Sequence, residues 1–270
     1  MLDIAAGAGD QTLDIARRVG PAGHVLATDI SPRALHIAAE KLRQAGVSSV
    51  QTCVADAQAL GAALGAEGAE GAESAEGTKG ATFDAAVCRL GLMFCTEPLQ
   101  ALRGALGALK PGGRFGALVF SAPQANPCIA VMASTALRHA GLAPKPPFEP
   151  GGLLSLGRPG LLAELLVAAG FADIDVRALA APMRLPSVQH YIDFVRTAGL
   201  PIMAILAPLP AAAQHAAWQD IAQQLERFAT PQGWEGPNEL LLCSATRPAQ
   251  ALSQCHFDGA SLAGEDASLT

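Results

Sequence analysis

The chain has 270 residues, half of them hydrophobic and 16% charged, with a formal net charge of −6. That apolar share is too high for a disordered chain, and the most apolar stretch, Pro201–Ala213, is too broken by its three prolines to span a membrane. Four glutamates against one lysine in 61–82, with three unopposed acidic residues in 249–270, account for the whole charge; the neutral remainder lacks the clustered Lys and Arg that nucleic acid requires.

Met1–Ala5 is apolar apart from Asp3 and reads as a strand. Leu13, Ile15, Ala16 and Val19 then recur at helical spacing up to Gly20-Pro21. His24–Thr28 is a second strand. Ser31-Pro32 opens a helix, with Ser as N-cap and Pro at the first helical position. Its apolar positions are Leu35, Ala38, Ala39 and Leu42, and Gly46 stops it. Val50–Val54 and Phe83–Cys88 are the third and fourth strands. Pro98–Leu109 is a helix ended by Lys110-Pro111-Gly112-Gly113, and Arg114–Ser121 is a fifth strand. Strands alternating with helices predict an α/β fold, a doubly wound and mostly parallel sheet with helices on both faces.

Further on, Gly160–Ala169 reads as a helix stopped by Gly170, and Ile174–Leu179 as a strand. Residues 187–229 read as helices, including Val188–Thr197 and Pro210–Phe228, before a final strand at Glu239–Ala245. We therefore expect one domain built from 1–182 and 238–248, interrupted by a helical cap insertion at 183–237. Within it, 61–82 is expected as a solvated loop, because 66–77 repeats Ala-Glu-Gly with one Ser variant and cannot pack a core. The polar, small-residue tail 249–270 is expected to be disordered.

The six cysteines form no Cys-x-x-Cys pair, and no histidine stands at ligand spacing from one, so no metal site is expected. Free thiols, with no basic region and apolar run at the start, fit a reducing cytoplasm. His139, His190 and His215 are scattered; of the cap residues, His190-Tyr191 is the pair to test first as facing a substrate, and Trp234 either closes the cap or simply packs.

The run Asp3-Ile4-Ala5-Ala6-Gly7-Ala8-Gly9 lies between a strand and a helix. Small residues let the backbone turn sharply and approach a ligand, and the helix behind offers free N–H groups. Asp29 ends the second strand 20 residues after Gly9, where such folds bind ribose hydroxyls. Asp56-Ala57 follows the third strand. Two cofactors then compete. A nicotinamide dinucleotide wants Gly or Ala where this chain has Thr12, and Asp10 would repel its pyrophosphate. S-adenosylmethionine has no phosphate, and its ammonium suits a carboxylate such as Asp3.

Leu2-Asp3-Ile4-Ala5-Ala6-Gly7-Ala8-Gly9-Asp10 resembles the first motif of class I S-adenosylmethionine-dependent methyltransferases. Leu26–Ser31 resembles the second, Asp56-Ala57 the third, and Phe83–Phe94 the fourth in its ubiquinone/menaquinone-type variant. Ala101–Arg114 resembles the motif before the fifth strand. The resemblance implies a seven-stranded Rossmann-like sheet and an enzyme that transfers a methyl group to a small molecule, with a quinone-like or other apolar aromatic acceptor favoured. It implies that Asp3, Gly7 and Gly9 contact the methionine part of S-adenosylmethionine, with Ala5 replacing the first glycine of the loop at no expected loss. Asp29 would bind both ribose hydroxyls, Ile30 would lie on the adenine face, Asp56 and Ala57 would hold the adenine edge, and Cys88 and Arg89 would line the site near the sulfonium. No residue announces itself as a general base, and the oligomeric state stays open. Members of this family carry a helical segment ahead of the first strand; the sequence starts inside that strand, which leads us to expect weaker cofactor binding or lower stability than in a longer form. The alternatives are a nicotinamide-dependent oxidoreductase and a non-catalytic cofactor-binding module.

Overall fold

A computed structural model describes residues 1–64, 83–198 and 200–249. The glutamate repeat and almost all of the tail expected as loop and disorder lie outside the described residues. Along the chain run β1 (Leu2–Ile4), α1 (Asp10–Val19), β2 (Val25–Asp29), α2 (Pro32–Gln44), β3 (Val50–Val54), α3 (Leu60–Ala63), β4 (Phe83–Arg89), α4 (Pro98–Ala108), β5 (Leu109–Phe120) and α5 (Pro127–His139). They are followed by α6 (Leu161–Ala169), β6 (Ala172–Ala180), β7 (Met183–Leu185), α7 (Val188–Ala198), α8 (Leu200–Leu206), α9 (Ala211–Leu225), β8 (Ala229–Thr230), β9 (Gly233–Gly236) and β10 (Glu239–Thr246).

Seven strands form the main sheet in the order β3-β2-β1-β4-β5-β10-β6. The five on the β3 side pair in parallel, while β10 runs antiparallel to both β5 and β6. The expected doubly wound, mostly parallel seven-stranded sheet is thus the observed one. The chain steps outward from β1 to β3 and then returns to β1's other side with β4. The crevice outside the carboxyl ends of β1 and β4 is the position where open α/β sheets bind ligands.

Local signals explain the elements. The Ser31 hydroxyl accepts from the Ala34 amide at 3.2 Å and Pro32 opens α2, so two helix-start devices coincide. Helix α2 then buries Leu35, Ala38 and Leu42, one face at helical spacing. Gly170 ends α6 in the left-handed region, φ +98°, where a side chain would be strained. Lys110–Gly113, expected to end the helix ahead of the fifth strand, is folded into β5 as a bulge, since Phe83 pairs with Leu109 and Ala85 already pairs with Arg114. Arg247 fastens that bulge: its guanidinium donates to the carbonyls of Leu106, Gly107 and Leu109 at the end of α4.

One core lies on the α4 and α6 face of the sheet, built from Ile4, Ala86, Phe115, Leu102, Leu162 and Leu166 among others. Ile15 and Ala16 of α1 pack on Val25 on the opposite face. A second core belongs to the cap and is centred on Trp234, which is buried and donates Nε1–H to the Leu225 carbonyl at 2.8 Å. Tyr191 stacks on the Trp234 ring at 4.6 Å between centroids, and Phe228 meets its edge.

The structure departs from the sequence reading in three places here. The region 183–237 is not all helical, because β7, β9 and β8 form a three-stranded antiparallel sheet. Its strands are two to four residues long, too short for alternation to register. Helix α5, which the sequence reading passed over, packs Cys128, Ile129, Met132 and Ala136 into the cap core. Residues 60–63, placed largely in the expected loop, form the short helix α3. Among the described residues, no helix is long and apolar enough to cross a membrane.

Helices α5 and α9 are also tied by a polar cluster. Asp220 accepts from Arg138 at 2.7 Å and from Gln224 at 2.8 Å, and meets His139 Nε2 at 2.8 Å. The His139 bond, followed by that from Gln224, holds the Asp220 carboxyl below its ordinary value of 3.8. An acid held down in the folded state stabilises the fold above its unfolded pKa and loses that contribution as pH falls through the folded one. Asp220→Asn is therefore expected to lower the melting temperature near neutral pH, with the gap to the unsubstituted chain closing below the ordinary carboxylate range; melts across the acid range check this.

Candidate cofactor crevice

Three strand ends are laced together at the crevice. The Ala6 amide donates to the Thr28 carbonyl at 2.9 Å, and the Ala55 amide to the Asp29 carbonyl at 3.0 Å. The Asp29 carboxylate accepts from the Gly7 amide at 2.9 Å and from the Ser31 amide at 2.8 Å. One carboxylate thus sets the spacing between the loop after β1 and the start of α2. It stays half-buried, with lone pairs to spare for further donors. Next to it Ile30 is 68% exposed, a large apolar side chain left uncovered at the sheet edge. Asp56 accepts from the Gln58 amide at 2.9 Å and so caps the turn Ala57–Ala59.

Asp3 stands differently from expectation. It is fully buried, and its two oxygens accept from Gln11 Nε2 at 2.9 Å and from the Thr12 hydroxyl at 2.7 Å. Burial pushes its carboxyl above the ordinary range; the Thr12 and Gln11 bonds and the Arg89 charge pull the other way. Asp3 therefore fixes the first turn of α1 rather than presenting a carboxylate at the surface. Asp10 pairs with Lys41 of α2 at 2.7 Å, so its charge is partly compensated and the expected repulsion of a pyrophosphate is weakened. The case against a dinucleotide rests on Thr12, whose hydroxyl is committed to Asp3.

The two ends of the fourth motif also separate. Arg89 is exposed at the end of β4, but Cys88 is 1% exposed and lies in the main core. Side chains alternate across a strand, so Cys88 follows Ala86 inward while Arg89 turns out. Burial pushes the Cys88 thiol up to about 12, far from a reactive thiolate. Cys88, expected beside the sulfonium, thus sits in the buried layer at the end of β4.

Backbone strain concentrates here as well. Ala5 and Leu90 are non-glycine residues with φ of +56° and +57°, at the ends of the adjacent strands β1 and β4. Gly91 approaches Ala5 so closely that a Cβ on Gly91 would stand 2.4 Å from the Ala5 Cβ. The Ala5 replacement, expected to be free of cost, is therefore a strained position. Ala5→Gly is expected to stabilise the fold by about 1 kcal/mol, raising the melting temperature by about 2–4 °C in a thermal scan.

Two contributors escaped the sequence reading. Gln11 holds Asp3, and Gln58 joins the loop after β3 to the loop after β4, accepting from the Glu97 amide at 2.7 Å and from the Thr96 hydroxyl at 3.1 Å. Their only sequence signal is position, one in the first turn behind the glycine loop and one two residues after a capping aspartate. In the cap, Tyr191 is buried against Trp234, and exposed His190 meets the Ser187 hydroxyl at 2.9 Å.

A family model described as "Methyltransferase domain" matches residues 1–139, more than half of the chain. The chain belongs to this methyltransferase family. It is 37% identical over 128 residues to the "Ubiquinone/menaquinone biosynthesis C-methyltransferase UbiE" of Pasteurella multocida, covering 47% of this chain and 42% of that protein. The same identity and length relate it to the protein of that name from Salmonella arizonae, where 45% of the relative is covered. The chain thus spans under half the length of these curated relatives. Among solved structures, a putative methyltransferase from Bacillus halodurans superposes with a TM-score of 0.56 at 15% identity, covering 92% of this chain and 91% of that one. A phosphoethanolamine N-methyltransferase from Haemonchus contortus, solved with S-adenosylhomocysteine, gives 0.52 at 17% identity, covering 92% of this chain and 49% of that one. A [4+2]-cyclase gives 0.53 at 22% identity, covering 92% of this chain and 74% of that one. These likenesses establish the methyltransferase fold.

Proposed function

We propose that this family member binds S-adenosylmethionine across the carboxyl ends of β1 to β4 and transfers its methyl group to a small apolar acceptor, quinone-like as the names of its curated relatives imply. The observation that carries the reading is the Asp29 carboxylate, held on the Gly7 and Ser31 amides beside exposed Ile30. A ribose needs a carboxylate acceptor and an adenine needs an apolar face, and these two groups stand side by side. When bound, the cofactor supplies a methyl group already activated on a sulfonium. The protein's part is then positioning and exclusion of water. Asp29 would accept the ribose hydroxyls, Ile30 would cover one adenine face, and Asp56 and Ala57 would border its edge. The loop Ala5–Gly9 would bring the backbone against the methionine part, with Asp3 acting from below through Gln11 and Thr12. Arg89, exposed at the end of β4, would face the methionine carboxylate or the acceptor. We read the protein as cytoplasmic, on its free thiols.

Calorimetry with S-adenosylmethionine, S-adenosylhomocysteine and NAD tests the reading. Saturable heat from the two sulfur compounds and none from NAD is expected. Binding of NAD instead, or of none of the three, would overturn it.

A further inference from the structure

Strand β6 ends the main sheet, and among the described residues it pairs only with β10. Its outer side is a row of backbone donors and acceptors that can take another strand. The pairing fixes which groups point there. The Ala181 amide donates to the Asn238 carbonyl at 2.8 Å, one step beyond the pair Ala180–Glu239. Backbone groups alternate in direction along a strand. Asp175, Arg177 and Leu179 therefore turn theirs toward β10, while Ile174, Val176 and Ala178 turn theirs outward. Asp173, with φ of +49°, and the register shift beside it break the strand before Ile174, so the regular edge runs from Ile174 to Ala180.

The side chains give this edge a preferred partner. Ile174 and Val176 pack on the main core, while Asp175 and Arg177 are exposed and pair with each other at 2.6 Å. Charges on an edge strand usually deter a second chain. Here they are opposite in sign and flank Val176 symmetrically. In an antiparallel copy related by a two-fold axis, outward groups must meet outward groups, so the axis passes through one residue. Centred on Val176, the pairing sets Asp175 against the partner's Arg177 and Arg177 against the partner's Asp175. These are the positions without mutual backbone bonds, where side chains stand closest. A shift of one residue either way centres the pairing on Asp175 or Arg177 and sets like charges face to face, which is destabilising.

We propose that β6 is a self-association edge. Two copies of this chain pair β6 with β6 about Val176, joining two seven-stranded sheets into one, with four charges of alternating sign across the seam. So short a strip buries less than a standard interface, so the dimer is expected to be weak and concentration-dependent. The edge lies three strands beyond β4, and association leaves the crevice open.

Sedimentation velocity on the full chain over a range of concentrations is expected to show a monomer–dimer equilibrium. Arg177→Asp sets Asp against Asp twice across the seam, and Asp175→Arg sets Arg against Arg twice. Each is expected to weaken the dimer by about tenfold or more. Mixed in equal amounts, the two variants are expected to recover it, because every Asp of one then faces an Arg of the other. Both positions are exposed, so folding should survive, and thermal melts check this. Ala178→Pro keeps the charges, removes one outward donor, and is expected to weaken the dimer as well; it decides the matter if a charge variant does not fold. A chain that stays monomeric up to about 1 mM, the weak end of specific association, would overturn the proposal. Folded variants that dimerise as the unsubstituted chain does, or a mixture that fails to recover the dimer, would equally overturn it.

Discussion

Asp29→Ala is expected to weaken S-adenosylhomocysteine binding by about a hundredfold or more, because hydrogen bonds to a charged group contribute about 1.5–3 kcal/mol each and two ribose hydroxyls would lose their acceptor. A second loss adds to the first. The Gly7 and Ser31 amides that Asp29 satisfies would be left unpaired, and the loop after β1 would lose its spacing from α2. Asp29→Asn keeps one acceptor oxygen and should fall between the two. Calorimetry on both variants, with melting temperatures beside it, separates lost binding from lost folding. An Asp29→Ala chain that folds and binds as before would remove Asp29 from the site.

Gly9→Val is expected to cost the most stability of any single change in the loop. Gly9 has φ of +82°, and a Cβ there would stand 2.7 Å from the Ala38 Cβ and 3.0 Å from its Cα. The second neighbour is backbone and cannot swing away, so α1 and α2 would have to part. Left-handed strain of about 1–2 kcal/mol adds to overpacking of about 1–3 kcal/mol. We expect a fall in melting temperature of about 4–20 °C. Gly7→Ala is the control: its φ is +57° but nothing lies within 4 Å of the added carbon, so only the strain is felt. Equal losses in the two variants would show that contact with α2 does not matter.

Much of this fold was legible because long elements announce themselves. Strands β2 to β5 are continuous or alternating apolar runs, and α2 carries a cap, a proline and an apolar stripe in register. Asp29 was legible for a geometric reason, since a carboxylate at the end of the second strand of such a sheet has one crevice to face. Cys88 was readable in principle, because counting inward from Ala86 puts it on the core side. Asp3 was not. Its burial depends on Gln11 and Thr12 folding back from a helix, which spacing alone does not give. The strain at Ala5 was hidden too, because its source is a left-handed backbone, φ +56°, which a run of small residues does not reveal. Short pairings such as β8 with β9 leave no periodic trace at all.

The cap core joins α5, from the connection after β5, to α7, α8, α9 and β9, from the connection after β6. Neither stretch can bury its apolar face alone, so each holds the other's shape. Any exchange of acceptor preference between relatives by recombination would have to carry both stretches at once. A single crossover between them would pair one parent's α5 with the other's Trp234 and leave mismatched apolar surfaces in contact. Diversification of this scaffold is therefore channelled into paired substitutions along the α5–α9 seam, and chimaeras cut on both sides of both stretches are the ones to build.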